Sequence, residues 1–233
     1  MSALSHRPGN PAPGGDLQPR ASLVSVNAGI PRTVEWRGES VSTGIFKSPA
    51  EGPVRVGRLN LAGDRQADPS VHGGELKAVY AYPSEHYAWW REPLGDPGWG
   101  AFGENLTTAG LAEDTTCVGD RLRIGTAELV VTQPRLPCFK LGIRFGRPDV
   151  QKLMLQSGRT GFYLSVAREG EIRAGDEITV AGRASDSVSI AEIVGLYRTD
   201  QPDRDLLRRL GGLAVMPESL RKRYRKLLAK LDA

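Results

Sequence analysis

"VGDRLRIG", residues 118–125, and "GDEITVAG", residues 175–182, decide the fold. Each strand-like segment opens on a Gly-Asp pair. Glycine permits a tight turn there, and the aspartate bonds its own backbone. Segments of the same texture recur along the chain: "SLVSVN" (22–27), "TVEWRG" (33–38), "VSTGIFK" (41–47), "VRVGRLNLAGD" (54–64), "LKAVYAY" (76–82), "AELVVTQ" (127–133) and "GFYLSVAREG" (161–170). They are short, rich in β-branched residues and separated by turn signals. Such regular turn-and-strand spacing predicts a mainly β protein, a closed or nearly closed barrel.

Two stretches break the pattern. "PSEHYAWWREPL" (83–94) predicts a short helix, with Pro83 at its first position and Tyr87 and Trp90 on one face. "DVQKLMLQSG" (149–158) predicts another. From about residue 184 the texture turns helical. Ser189 and Glu192 are spaced as a capping box ahead of Ile190, Ile193, Val194 and Tyr197. A second helix is expected from Asp203 to Gly211, and a third from about Pro217 through Leu231. The expected organisation is a disordered Pro/Gly-rich lead-in (1–21), a β barrel (22–183) and a small three-helix domain (184–233).

Composition bounds the function. Of 233 residues, 39% are hydrophobic and 25% charged, the balance of a globular protein with a real core. No apolar run approaches the length needed to cross a bilayer, and the N-terminal segment lacks the apolar stretch of a signal peptide. Two cysteines make no disulfide framework, so a reducing, cytoplasmic setting is expected. The net charge of +4 permits nucleic acid without demanding it.

"GWGAFG" (98–103) matches the dinucleotide fingerprint letter for letter, but it is not flanked by a strand and a helix, so these glycines read as a loop beside a pocket. The three histidines, His6, His72 and His86, have no zinc-site spacing. Cys117, in "TTCVGD", reads as a packed small residue. The tail "RKRYRKLLAKL" (221–231) reads mainly as the wet face of an amphipathic helix, with nucleic acid or an acidic membrane surface as the other reading. The remaining cysteine, Cys138, lies in "QPRLPCFKLGIRFG" (133–146) among Arg135, Lys140 and Arg144. Nearby cations favour a thiolate, the form that attacks substrates and binds metals. A free cysteine is also commonly a small buried apolar residue, and composition alone leaves both readings open.

"GDRQADPSVHGGELKAVYAYPSEHY" (63–87), "GAFGENLTTAGL" (100–111), "TCVGDRLRIG" (116–125) and "QPRLPCFKL" (133–141) occur in this order. With them, over roughly residues 22–182, the chain resembles the MOSC domain family, and within it the YiiM-like branch, whose barrel is followed by a small helical domain. The resemblance implies a molybdenum cofactor and reduction of N-hydroxylated compounds such as N-hydroxylated nucleobase analogues. It implies that Cys138 holds the molybdenum or carries sulfur. Arg135 and Lys140 would favour the thiolate and meet the phosphate of the cofactor's pterin arm. Glu104 and Asn105 are expected to shape the pocket, His72, Gly73 and Gly74 to bring donors near an anion, and Gln133 to bond the cofactor. No electron source is legible in the chain, so a separate electron-donor reductase is expected. Homodimerisation is compatible with the resemblance; no membrane or nucleic-acid partner is expected from it. Two rival readings stand beside it: a persulfide-bearing sulfur carrier, and a non-enzymatic module that binds anions or nucleic acid.

Overall fold

The computed structural model describes residues 21–68 and 73–232; the lead-in expected at 1–21 falls, except for Ala21, outside the described residues, as does His72. In chain order come β1 (Ala21–Ala28), a hairpin of β2 (Arg32–Trp36) and β3 (Glu39–Thr43), β4 (Ser48–Pro49) and β5 (Val54–Val56). A 3-10 turn at Glu75–Lys77 leads into β6 (Val79–Pro83), helix α1 (Glu85–Leu94) and β7 (Leu106–Ala109). Then follow β8 (Arg121–Ile124), β9 (Ala127–Pro134), α2 (Lys140–Phe145), α3 (Val150–Ser157), β10 (Phe162–Arg168), β11 (Gly170–Ile172) and β12 (Glu177–Gly182). The chain ends in α4 (Ile190–Gly195), α5 (Arg204–Gly212) and α6 (Glu218–Leu231).

Seven strands pair in the order β12-β8-β9-β10-β6-β7-β1, and β1 returns to β12 through Ala21 opposite Ile178 and Ser22 opposite Glu177. The sheet is therefore a closed barrel, which removes the exposed edges an open sheet presents. Its interior holds Leu23, Val79, Ala81, Leu106, Leu122, Leu129, Val131, Phe162 and Leu164. Both Gly-Asp turns form as the sequence predicts. Gly119 and Gly175 take φ of +94° and +92°, a region glycine enters without steric cost. Asp120 Oδ2 accepts from the Cys117 amide at 2.8 Å, and Asp176 Oδ2 from the Arg173 amide at 2.9 Å.

All barrel pairs are antiparallel except β6 with β7. Parallel neighbours need a crossover connection. Here residues 84–105 supply it, as α1 and the "GWGAFG" loop. Pro83 is the last residue of β6 rather than the first of the helix. The ladder runs on past it, because the Ser84 amide bonds Thr108 O at 2.6 Å and a proline at the strand's end leaves no donor unsatisfied. Tyr87 and Trp90 are the buried face of α1, as their spacing predicts. "VSTGIFK" and "VRVGRLNLAGD" are extended only in part, and the six-residue α2 is an element the sequence pattern did not reveal.

At the C-terminus, Ser189 and Glu192 close the capping box reciprocally, with Asp203 capping α5 and Pro217 preceding α6. Ile190, Ile193, Val194, Leu207, Leu210 and Tyr224 join the same apolar cluster as the barrel interior. Among the described residues no helix is long and apolar enough to cross a membrane. Asp120 is fully buried and also pairs with Arg183, whereas the Asp176 side chain is partly exposed. Asp120→Ala is therefore predicted to cost about 1–3 kcal/mol and Asp176→Ala under about 1 kcal/mol, read by chemical denaturation.

Candidate functional site

A cleft opens outside the barrel, against the outer face of β6 and β10. Alternation along these strands turns Val79, Ala81, Phe162 and Leu164 inward and leaves Tyr80 and Tyr163 outward. The two tyrosines stand opposite each other in the ladder and wall the cleft, with ring centroids 5.5 Å apart. A bulge in β9 extends this row. One step on β10, Leu164 to Tyr163, spans two on β9, Val131 to Gln133, so Gln133 is turned to the tyrosine face.

The cysteine loop follows directly. Arg135 leaves the end of β9, its amide bonded to Gly161 O at 3.1 Å. Its guanidinium is buried, 5% exposed, and lies 5.4 Å from the Tyr80 ring centre. Among the described residues no carboxylate pairs with it. Burial works against its charge, yet Tyr80, Cys138 and Tyr163 around it outweigh that and raise its pKa. Cys138 is half-buried and lines the cleft with Arg135 and Lys140; no disulfide engages either cysteine. Arg144, the third neighbouring cation, stacks over Phe46 and Phe145 instead. Behind the loop, Glu113 accepts from the Gly161 amide at 2.8 Å and meets His86 Nε2 at 2.6 Å. Burial pushes the Glu113 carboxyl up, but the His86 contact and the amide reverse this and hold it below its ordinary value.

The opposite wall comes from residues that local sequence pattern did not single out. Lys47 and Asp64 form a buried ion pair, with side chains 7% and 1% exposed. Asp64 also accepts from the Gly29 amide at 3.0 Å and from Asn105 Nδ2 at 2.8 Å. Asn105 in turn accepts from the Tyr80 amide at 3.1 Å, so its amide ties β6, β7 and this pair together. Burial lowers the pKa of Lys47, with Asp64 only partly offsetting it. Arg65 and Lys77 complete the cationic lining. Lys47 follows a glycine between strands in "GIFK", but its partner lies across the fold, a pairing no local spacing encodes.

The expected site residues therefore separate. Cys138, Arg135, Lys140 and Asn105 meet at the cleft. Glu104 lies behind it, fully buried, accepting from the Gly100 and Phe102 amides at 2.8 and 3.1 Å, from Thr107 Oγ1 at 2.9 Å and from the Tyr87 hydroxyl. Burial raises its pKa against the pull of these donors. It braces the loop that carries Phe102 and Gly103 into the cleft wall. Gln133 Nε2 bonds Leu76 O at 3.3 Å and so holds the 3-10 turn that delivers Lys77. Gly74 starts that turn, and neither it nor Gly73 lines the cleft.

A model of the MOSC domain matches residues 68–179. An uncharacterized protein, YflK, from Bacillus subtilis (strain 168) is 40% identical over 90% of this chain and 95% of its own length. The chain belongs to the MOSC domain family. Its fold is that of YiiM from Geobacillus stearothermophilus, whose crystal structure matches with a TM-score of 0.74 and 36% identity over 89% of this chain and 99% of that one. A protein named "Reductase" from Gibberella moniliformis is 34% identical over 84% of this chain, which spans 34% of that protein.

MOSC domains are associated with molybdenum-cofactor binding. The residues present fit such a group. Among the described residues, five cations and one already engaged carboxylate line a cleft whose wall includes Cys138, and Arg135 is buried without an acidic partner. A buried charge left uncompensated is costly, so an anionic ligand is the group this MOSC cleft is built to accept. The Lys47–Asp64 pair underlies that wall. Asp64→Leu is predicted to cost about 3–5 kcal/mol, and adding Lys47→Met to return most of it, measured as a double-mutant cycle by denaturant unfolding.

Proposed function

We propose that this MOSC protein is a molybdenum-cofactor-dependent oxidoreductase that reduces N-hydroxylated compounds, N-hydroxylated nucleobase analogues among them. The observation that carries the reading is Cys138 lining a cation-rich cleft beside the buried Arg135, which among the described residues has no acidic partner. The relative named "Reductase" supports the direction of the chemistry.

Bound at this site, the cofactor would supply a metal centre able to take oxygen from an N–OH group. The chain's own residues supply the rest. Cys138 offers a soft sulfur ligand, suited to metal–sulfur chemistry. Arg135 and Lys140 would hold the pterin phosphate, Arg135 with a planar fork held charged by its surroundings. Tyr80, Tyr163 and Phe102 give the cleft aromatic walls against which a flat heterocycle packs. The overall change consumes two electrons and two protons: R–NH–OH gives R–NH₂ and water as the N–O bond breaks. Lys47 Nζ holds a proton that burial makes easier to release than that of an exposed lysine.

The electrons come from outside. An iron–sulfur cluster commonly requires four Cys ligands or a Cys/His mixture, and the chain has two cysteines. A separate electron-transfer protein is therefore part of the proposal.

Purified with its cofactor retained, the protein is predicted to carry molybdenum and, given a chemical reductant, to convert N-hydroxylated adenine to adenine. Cys138→Ser is predicted to lose at least about a hundredfold in turnover and most of the metal, with its unfolding midpoint near wild type, because the side chain is only half-buried. Turnover by metal-free protein, or an added sulfur on Cys138 in mass spectra without molybdenum, would contradict the reading, the latter in favour of sulfur carriage.

A further inference from the structure

We propose that the groove between α3 and the C-terminal helices is the docking face for an electron-transfer protein with an acidic surface, an inference that rests on the reductive reading above. The groove begins at Leu136 and Pro137, passes Lys152 and Leu155 of α3, and reaches Tyr197 and Arg223. From Tyr197 it continues past Arg198 to Asp200, and from Arg223 along α6 past Lys222, Lys226 and Lys230.

Its first wall is the cysteine loop itself. Leu136 and Pro137 face the groove, while Arg135, Cys138 and Lys140 of the same segment face the cleft. Pro137 O accepts from Gln151 Nε2 at 3.1 Å, which fastens the loop to α3. A protein seated here contacts the same loop that carries Cys138.

This face concentrates exposed cations along one groove. Lys152, Arg198, Lys222, Arg223, Lys226 and Lys230 are all exposed, and among the described residues none is in an ion pair. Among the described residues, Asp200 is the one carboxylate lining the groove. On the same helix, Arg221 and Arg225, which do not line it, both close on Glu218. Lys222, Lys226 and Lys230 stand four residues apart, a like-charge row that works against the isolated helix. Against a chain net charge of +4, six cations and one carboxylate among the described residues line this groove.

The occupant follows from what surrounds the cations. Leu136, Pro137, Pro148 and Leu155 make an aliphatic floor with basic residues at its margin, the apolar centre and polar rim of a protein interface. A single-strand nucleic-acid site would present open aromatic faces for bases. The groove has one aromatic ring, Tyr197, and the Arg223 guanidinium lies over it at 5.1 Å. An acidic protein surface complements the charge. The Gibberella relative, in which the matching part is about a third of a longer polypeptide, gives a precedent for further protein attached to this unit.

The test uses purified flavodoxin, an acidic flavoprotein, as the probe. Wild-type protein is predicted to bind it with an affinity that falls about tenfold between roughly 20 and 200 mM salt, and to cross-link to it through Lys152, Lys222, Lys226 or Lys230 under a zero-length carbodiimide. K222E/K226E/K230E is predicted to bind at least about tenfold more weakly, with K222Q/K226Q/K230Q in between. Flavodoxin-driven turnover should fall in parallel while dithionite-driven turnover stays at the wild-type value. No binding, binding unmoved by charge reversal, cross-links confined to other faces, or tighter binding of a single-stranded oligonucleotide than of flavodoxin would overturn the proposal. Loss of dithionite-driven turnover in the wild type would sink the reductive reading instead; the binding and cross-linking results still decide the docking face.

Discussion

The pairing of β6 with β7 is the constraint from which the site follows. Every other neighbour in the barrel runs antiparallel; of these, β9 and β10 are joined through α2 and α3, which add Leu141, Val150 and Met154 to the outer face. A parallel pair forbids a hairpin, so residues 84–105 must cross over, and they cross on the outside. The crossover buries Tyr82, Tyr87, Trp90 and Phe102 in a second apolar cluster, separate from the barrel interior. Against that cluster the outward face of β6 becomes a wall rather than a wet surface. Glu104 stabilises the arrangement by gathering the loop's amides, since no regular structure satisfies them there.

Charge is arranged around that wall with unequal compensation. Lys47 has Asp64, and Asp64 has Asn105 and an amide, so this pair is satisfied before any ligand arrives. Arg135 is packed against aromatic rings and Met154, and among the described residues no acid stands beside it. Two buried cations in one cleft thus do different jobs. One holds the wall together, and the other keeps a positive charge facing the Cys138 loop. The surface repeats the division: Arg221 and Arg225 are paired off, whereas the groove behind the cysteine loop keeps its cations open.

The elements legible in the sequence were those whose cause is local. The Gly-Asp turns depend on a positive φ and a side chain bonding its own backbone, the α4 cap on residues three apart, the α1 face on Tyr87 and Trp90; all are present as their spacing implies. Pro83 was misplaced because its position is set by a ladder to Thr108, far along the chain. The six-residue α2 is too short to show a helical period and is held by its place under the cluster that buries Leu141. The same division runs through the site. Cys138, Arg135 and Lys140 stood out because they crowd into six residues. Lys47, Asp64 and Tyr163 did not, because only the closed barrel brings them together.

The proposed activity requires one bond, between the Cys138 sulfur and a metal in the cation-lined cleft. Molybdenum K-edge absorption spectroscopy of the cofactor-loaded wild type and Cys138→Ser tests it most directly. The prediction is a metal whose sulfur shell loses one scatterer in the variant. An identical sulfur shell in both proteins would place the metal elsewhere and contradict the account.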